Sequence, residues 1–132
     1  MAASLGRIMV VDDSPTIRDL ISINLELEGY DVTTAGDAQE CLDHLAQVAA
    51  GRVAAPQLLM LDVVMPGLDG VELTARLKAT PTTAHLPILI VSASAQRRDF
   101  ELARGAGADG YLTKPFDPDT LLAEVRRLIL DD

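Results

Sequence analysis

Short apolar runs alternate along the chain with stretches of helical spacing, and five such runs can be counted. They are Ile8-Met9-Val10-Val11, the weaker Val32-Thr33-Thr34, Leu58-Leu59-Met60-Leu61, Ile88-Leu89-Ile90-Val91 and the short Tyr111-Leu112. The first, third and fourth are apolar at every position, whereas a strand with one wet face would alternate. Continuous runs therefore predict strands covered on both faces. Strand and helix in repeated alternation is the pattern of a parallel sheet flanked by helices. The expected fold is α/β and doubly wound, with five parallel strands and five helices.

Local signals place the helices. Ser14-Pro15 reads as an N-cap with proline at the first helical position, followed by a stripe of Ile17, Leu20, Ile21 and Leu25 that ends at Gly29. Asp37 with Glu40, and Asp69 with Glu72, have the spacing of capping boxes. Asp117-Pro118 repeats the cap-plus-proline pattern, and Leu121, Leu122, Val125, Leu128 and Ile129 then recur at helical spacing. A fourth helix is expected around Gln96 to Ala106, with a thin apolar face. The small-residue stretch from Ala46 to Pro56, which contains Gly51, is expected to fray the second helix into a loop. No internal repeat, low-complexity tract or interdomain linker interrupts these elements. One domain is expected over residues 1–132, its core at about 7–130.

Composition narrows the class of protein. At 132 residues and 48% hydrophobic the chain can bury one continuous core. Its formal net charge of −9 argues against a direct nucleic-acid surface, which needs clustered Lys and Arg, so the expected partner is a protein. The single cysteine, Cys41, leaves no intrachain disulfide framework, as suits a reducing compartment. No apolar run is long enough to span a bilayer, and the N-terminal residues Met1 to Arg7 lack the apolar stretch of a signal peptide. The cytoplasm is the expected location, with no membrane attachment.

The candidate chemistry stands at the strand ends. In an open parallel sheet, ligands bind at the carboxyl ends of the strands, beside the point where the winding reverses. Asp12 and Asp13 follow the first run, Asp62 the third, Ser92 the fourth and Lys114 the fifth. Converging carboxylates repel one another unless a cation neutralises them or one takes up a proton. Mg²⁺ suits such a site, because it accepts a few carboxylate oxygens, keeps several waters and adds a phosphate oxygen. An aspartate beside Mg²⁺ and a lysine can attack phosphorus to give an aspartyl phosphate, with the metal and Lys114 stabilising charge on the phosphoryl oxygens. Ser92 is placed to hydrogen-bond that group.

Four fragments, in order and each following a predicted strand, resemble the response-regulator receiver domains of two-component signalling. They are Val10-Val11-Asp12-Asp13, Leu61-Asp62-Val63-Val64-Met65-Pro66-Gly67-Leu68-Asp69-Gly70, Val91-Ser92-Ala93, and Gly110-Tyr111-Leu112-Thr113-Lys114-Pro115-Phe116. The resemblance implies a flavodoxin-like sheet in the order 2-1-3-4-5. It also implies a non-enzymatic phosphorelay role, with a histidine kinase or histidine phosphotransfer protein as donor and a protein as downstream target. By position, Asp62 would be the phosphoacceptor, Asp13 a direct Mg²⁺ ligand, Asp12 a ligand through water, and Val64 a ligand through its backbone carbonyl. Lys114 would pair with the phosphoryl group, its bond to Pro115 being cis. Ser92 and Tyr111 would form the switch pair. The family places kinase specificity around Thr16 and Ile17, and Val64 and Ser94 beside the hydrolytic water, which implies slow self-dephosphorylation here.

Simpler readings exist for each residue. Asp12 and Asp13 alone would read as the end of a strand, and Tyr111 alone as a half-buried strand aromatic. Met65-Pro66-Gly67 is first a turn signal. Cys41 shares a predicted helix face with Leu45 and Val48, which favours a core side chain over a reactive thiol. His44 and His85 lack metal-ligand spacing and read as surface or loop residues, and Arg97-Arg98 and Arg126-Arg127 as solvated helix faces. Gly105 to Gly110 formally matches a dinucleotide fingerprint, but it ends a helix and precedes a strand, the reverse of what that motif requires. A Mg²⁺-dependent phosphatase of the haloacid dehalogenase type would need an aspartate two residues after the nucleophile. Val64 stands there and cannot transfer a proton. A pseudo-receiver is disfavoured because every expected acidic, hydroxyl and amine position is filled. Asp109-Gly110-Tyr111 departs from the paired aspartates of receivers that dimerise when joined to winged-helix domains.

Overall fold

A computed structural model describes residues 4–130, so the first three residues of the N-terminal stretch read above lie outside it. The elements are β1 (Arg7–Val11), α1 (Pro15–Glu28), β2 (Asp31–Ala35), α2 (Ala38–Ala49), β3 (Leu58–Asp62), α3 (Gly70–Lys78), β4 (Ile88–Ser92), α4 (Arg97–Gly105), β5 (Gly110–Thr113) and α5 (Pro118–Leu130). The strands form one sheet in the order β2-β1-β3-β4-β5, and every neighbouring pair is parallel.

Side-chain parity along the strands creates two cores. Met9, Val11, Leu59, Leu61, Ile88 and Ile90 point to one face, where they meet Cys41 and Leu45 of α2, Leu73 and Leu77 of α3, and Ala103 of α4. Ile8, Val10, Leu58, Met60, Leu89 and Val91 point to the other, against Ile21 and Leu25 of α1 and Leu121, Val125 and Leu128 of α5. This is why the central strands read as unbroken apolar runs: odd and even positions are both covered. β2 lies at the sheet edge and is mostly exposed, which accounts for its weaker sequence signal.

The predicted caps form. Ser14 accepts from the Ile17 amide, Asp37 from Glu40, Asp69 from Glu72 and Asp117 from Thr120. Asp117 is held below the usual carboxylate range chiefly by that Thr120 amide. Gly29 closes α1 with φ 109°, a left-handed conformation that favours glycine. Leu20 departs from the expected α1 stripe: it is 54% exposed. Ile17, Ile21 and Leu25, spaced by four, carry the packing instead. The second helix also outlasts its expected fraying, because Ala46 to Ala49 remain helical and the loop begins at Ala50. Alanine is a good helix former, so small residues alone do not end a helix. The fourth helix is as thin as expected, burying only Ala103 among its residues. Cys41 is fully buried, and its thiol is pushed up to about 12 by that burial, which makes it inert packing. His44 is half-buried and His85 exposed.

Candidate functional site

The order of the strands places β1 beside β3, with the chain winding away on opposite sides. Their carboxyl ends open a crevice, and into it come Asp12 and Asp13 from the end of β1 and Asp62 from the last position of β3. One carboxylate oxygen from each lies within 4.8 Å of the others. Asp12 and Asp62 are buried, while Asp13 is exposed at the rim.

Asp12 is fixed on all sides. Its Oδ1 accepts from the Ser14 amide at 2.9 Å, and its backbone amide donates to Ala35 at 3.1 Å. The Arg18 guanidinium donates to its carbonyl at 2.8 Å. Lys114 Nζ enters from the β5–α5 loop and lies 3.2 Å from Asp12 Oδ2 and 3.3 Å from Asp62 Oδ1. The Lys114 amide donates to the Ser92 carbonyl at 2.7 Å, which ties this loop to the end of β4, and the Lys114–Pro115 bond is cis.

Burial raises the Asp62 carboxyl above its ordinary range, and the Asp12 charge raises it further; Lys114 opposes both, and Asp13 adds a smaller upward push. A single ammonium thus faces three carboxylates and does not fully compensate them. The donor set fits a hard divalent cation: oxygen ligands only, close together, open to water on the Asp13 side.

The chain matches the response regulator receiver domain model over residues 8–126. It belongs to that family. This receiver is 42% identical over 125 residues to the DNA-binding dual master transcriptional regulator RpaA of Synechocystis sp., a match covering 95% of this chain and 49% of RpaA. It is 41% identical over 123 residues to an uncharacterized 14.6 kDa protein of Leptolyngbya boryana, covering 93% of this chain and 89% of that one. The receiver spans about half the length of RpaA and of several other curated relatives that it matches. Among solved structures, it superposes on the chemotaxis protein CheY4 of Vibrio cholerae with a TM-score of 0.83, at 31% identity, covering 96% of this chain and 99% of that one. The receiver domain of a signal transduction histidine kinase from Syntrophus aciditrophicus gives 0.85 at 30% identity, covering 96% and 91%. Two-component signalling is therefore the setting of this domain, and no helix among its described residues is long and apolar enough to cross a membrane.

Beside the acidic crevice the receiver has a pocket of about 420 Å³ between the β3–α3 and β4–α4 loops, lined in part by Val63, Val64, Ser92, Ser94, Asp99 and Leu102. Ser92 is buried at the end of β4 and accepts from the Ser94 amide at 3.1 Å. Tyr111 on β5 is half-buried and donates its hydroxyl to the Ser94 carbonyl at 2.7 Å. The Phe100 ring meets Tyr111 edge to face, with centroids 5.6 Å apart. Val64 is 75% exposed and turns its side chain to solvent at the pocket mouth.

The structure thus brings Asp12, Asp13, Asp62 and Lys114 together and sets Ser92 and Tyr111 on two sides of Ser94. Sequence reading missed Arg18, Asp99 and Phe100. Each contacts the site region from a helix, where one polar or aromatic residue at a solvated position carries no distinguishing pattern. Gly36 leaves room for Arg18, since a Cβ there would stand 2.9 Å from the guanidinium, but that constraint exists only in the folded chain.

Proposed function

We propose that this receiver accepts a phosphoryl group on Asp62 from a phosphohistidine, carried by a histidine kinase or a histidine phosphotransfer protein. The modification then switches a protein-binding surface. The observation that carries this reading is a buried Asp62 within reach of both Lys114 and the carboxylates of Asp12 and Asp13, which follow β1. An Asp62 oxygen attacks phosphorus, the bond from phosphorus to the histidine nitrogen breaks, and its electron pair stays on the imidazole. Lys114 neutralises charge on a phosphoryl oxygen during the transfer and afterwards. Asp13 and Asp62 directly, Asp12 through water, and the Val64 backbone carbonyl would hold Mg²⁺. When bound, that ion supplies the positive charge that lets the phosphoryl oxygens approach three carboxylates.

Ser92 and Tyr111 are the proposed switch. The Ser92 oxygen already accepts a hydrogen bond, which leaves its own proton free to donate to the phosphoryl group. Tyr111 follows the same loop through its bond to Ser94. The responding face is α4, β5 and α5, and the net charge of −9 favours a protein over a nucleic acid as its direct partner. The reading places the protein in the cytoplasm, where kinase domains present phosphohistidine.

Intact-mass measurement after incubation with acetyl phosphate and Mg²⁺ tests the assignment. The native chain should gain one phosphate, and neither Asp62→Ala nor the native chain in EDTA should gain any. Equal labelling of native and Asp62→Ala would move the acceptor elsewhere.

A further inference from the structure

Each polar group of Ser94 has a partner, and its hydroxyl proton goes to Asp99. The Ser94 amide goes to Ser92, and its carbonyl receives Tyr111. Its hydroxyl accepts from the Gln96 amide and donates its only proton to Asp99 in a short bond. Gln96 is the N-cap of α4 but makes no side-chain cap bond. Ser94 instead takes the amide of Gln96 itself from two residues upstream, and Asp99, in the first turn of α4, accepts the Ser94 hydroxyl proton.

Resting on the reading of Asp62 as phosphoacceptor, we infer that Asp99 is a positioning residue that prolongs the phosphorylated state by holding the Ser94 hydroxyl away from water. Self-dephosphorylation requires a water oxygen to bond to phosphorus while the bond from phosphorus to the Asp62 oxygen breaks. The electron pair stays with the Asp62 carboxylate, and the displaced proton goes to a phosphate oxygen. The pocket lined by Val63, Val64, Ser92, Ser94 and Asp99 adjoins Asp62 only through its chain neighbour Val63 and through Ser92 at the end of the neighbouring strand, and on this inference it is the route by which water reaches the acceptor. Val64 offers no hydrogen bond there. Ser94 is a hydroxyl that can orient a water, yet its proton points to Asp99 and one of its lone pairs is taken by Gln96. Without Asp99, that hydroxyl can both donate to and accept from water, the condition for aligning the attack.

The test follows phosphate loss by intact mass after the native chain and its variants are loaded with acetyl phosphate and Mg²⁺ and freed of donor. Asp99→Ala should lose phosphate several-fold faster than the native chain. Asp99→Asn, whose amide oxygen accepts the same proton, should restore the native lifetime. In a Ser94→Ala background, Asp99→Ala should change nothing. Native-like loss in Asp99→Ala, equal acceleration with Ser94 absent, or failure of Asn to rescue would each overturn the inference. A native chain that takes no phosphate on Asp62 would instead overturn the reading on which it rests.

Discussion

Two residues show how much of the site depends on individual atoms. Because the folded chain holds a proton on Asp62 more tightly than the unfolded chain, stability falls as pH rises between the two pKa values. The penalty is complete above the raised folded value and vanishes below the unfolded one, near about 3.9. Metal-free Asp62→Asn cannot ionise. It should melt above the native chain at pH 7, by on the order of a few degrees, and the gap should close as pH falls toward about 4. Circular dichroism melts in EDTA measure this, and a native midpoint at or above that of the Asn variant at pH 7 would show that the carboxylate cluster carries no strain. Gly70 is the second case. A Cβ there would lie 2.2 Å from the Asp62 carbonyl oxygen, a contact with backbone that cannot swing away. Gly70→Ala should cost about 1–3 kcal/mol as overpacking and should displace the Asp62 end of β3. Urea denaturation gives the cost, and a loss under about 0.5 kcal/mol would mean the loop shifts freely.

At the scale of the element, α1 separates periodicity from burial. Its apolar residues cover more of the helix surface than the sheet can bury: Ile21 and Leu25 are sealed, whereas Leu20, Ile23 and Leu27 face solvent. Leu25→Ala should therefore cost about 2–5 kcal/mol, and Leu20→Ala should stay within about 0.5 kcal/mol of native. Paired urea titrations decide it, and comparable losses would place Leu20 in the core after all. α4 shows the opposite case, an element with little core of its own. It is anchored by Ala103, by the Ser94–Asp99 bond and by the Phe100 contact with Tyr111. Few buried contacts make a segment easier to shift than its neighbours.

For the whole molecule, that unevenness gives the direction of signalling expected on the proposed function. β1, β3 and β4 are sealed between two cores, so a new group on Asp62 cannot move them cheaply. The response should pass through Ser92 and Ser94 to Tyr111 and α4, shifting an equilibrium between two arrangements of that face. Ser92→Ala should still accept phosphate but should lose the change in amide exchange over α4, β5 and α5 seen in the native chain. Hydrogen exchange with and without phosphate compares the two, and identical responses would remove Ser92 from the route.

The α/β fold class and the candidate residues at the strand ends were legible in the amino-acid sequence by itself. Unbroken apolar runs, capping residues and the acidic, hydroxyl and amine residues at strand ends are local signals, each legible without its neighbours. The 2-1-3-4-5 order, and the roles proposed for Asp12, Asp13, Asp62 and Lys114, came from resemblance to a family carried by those same fragments. Tertiary structure alone decided which face of α1 is buried, that Arg18 braces the Asp12 carbonyl, and that Ser94 joins Ser92, Tyr111 and Asp99. The physical reason is that periodicity and caps act over a few residues. A hydrogen bond such as that of Tyr111 to Ser94 instead joins positions that only the packing of one strand against another brings within reach.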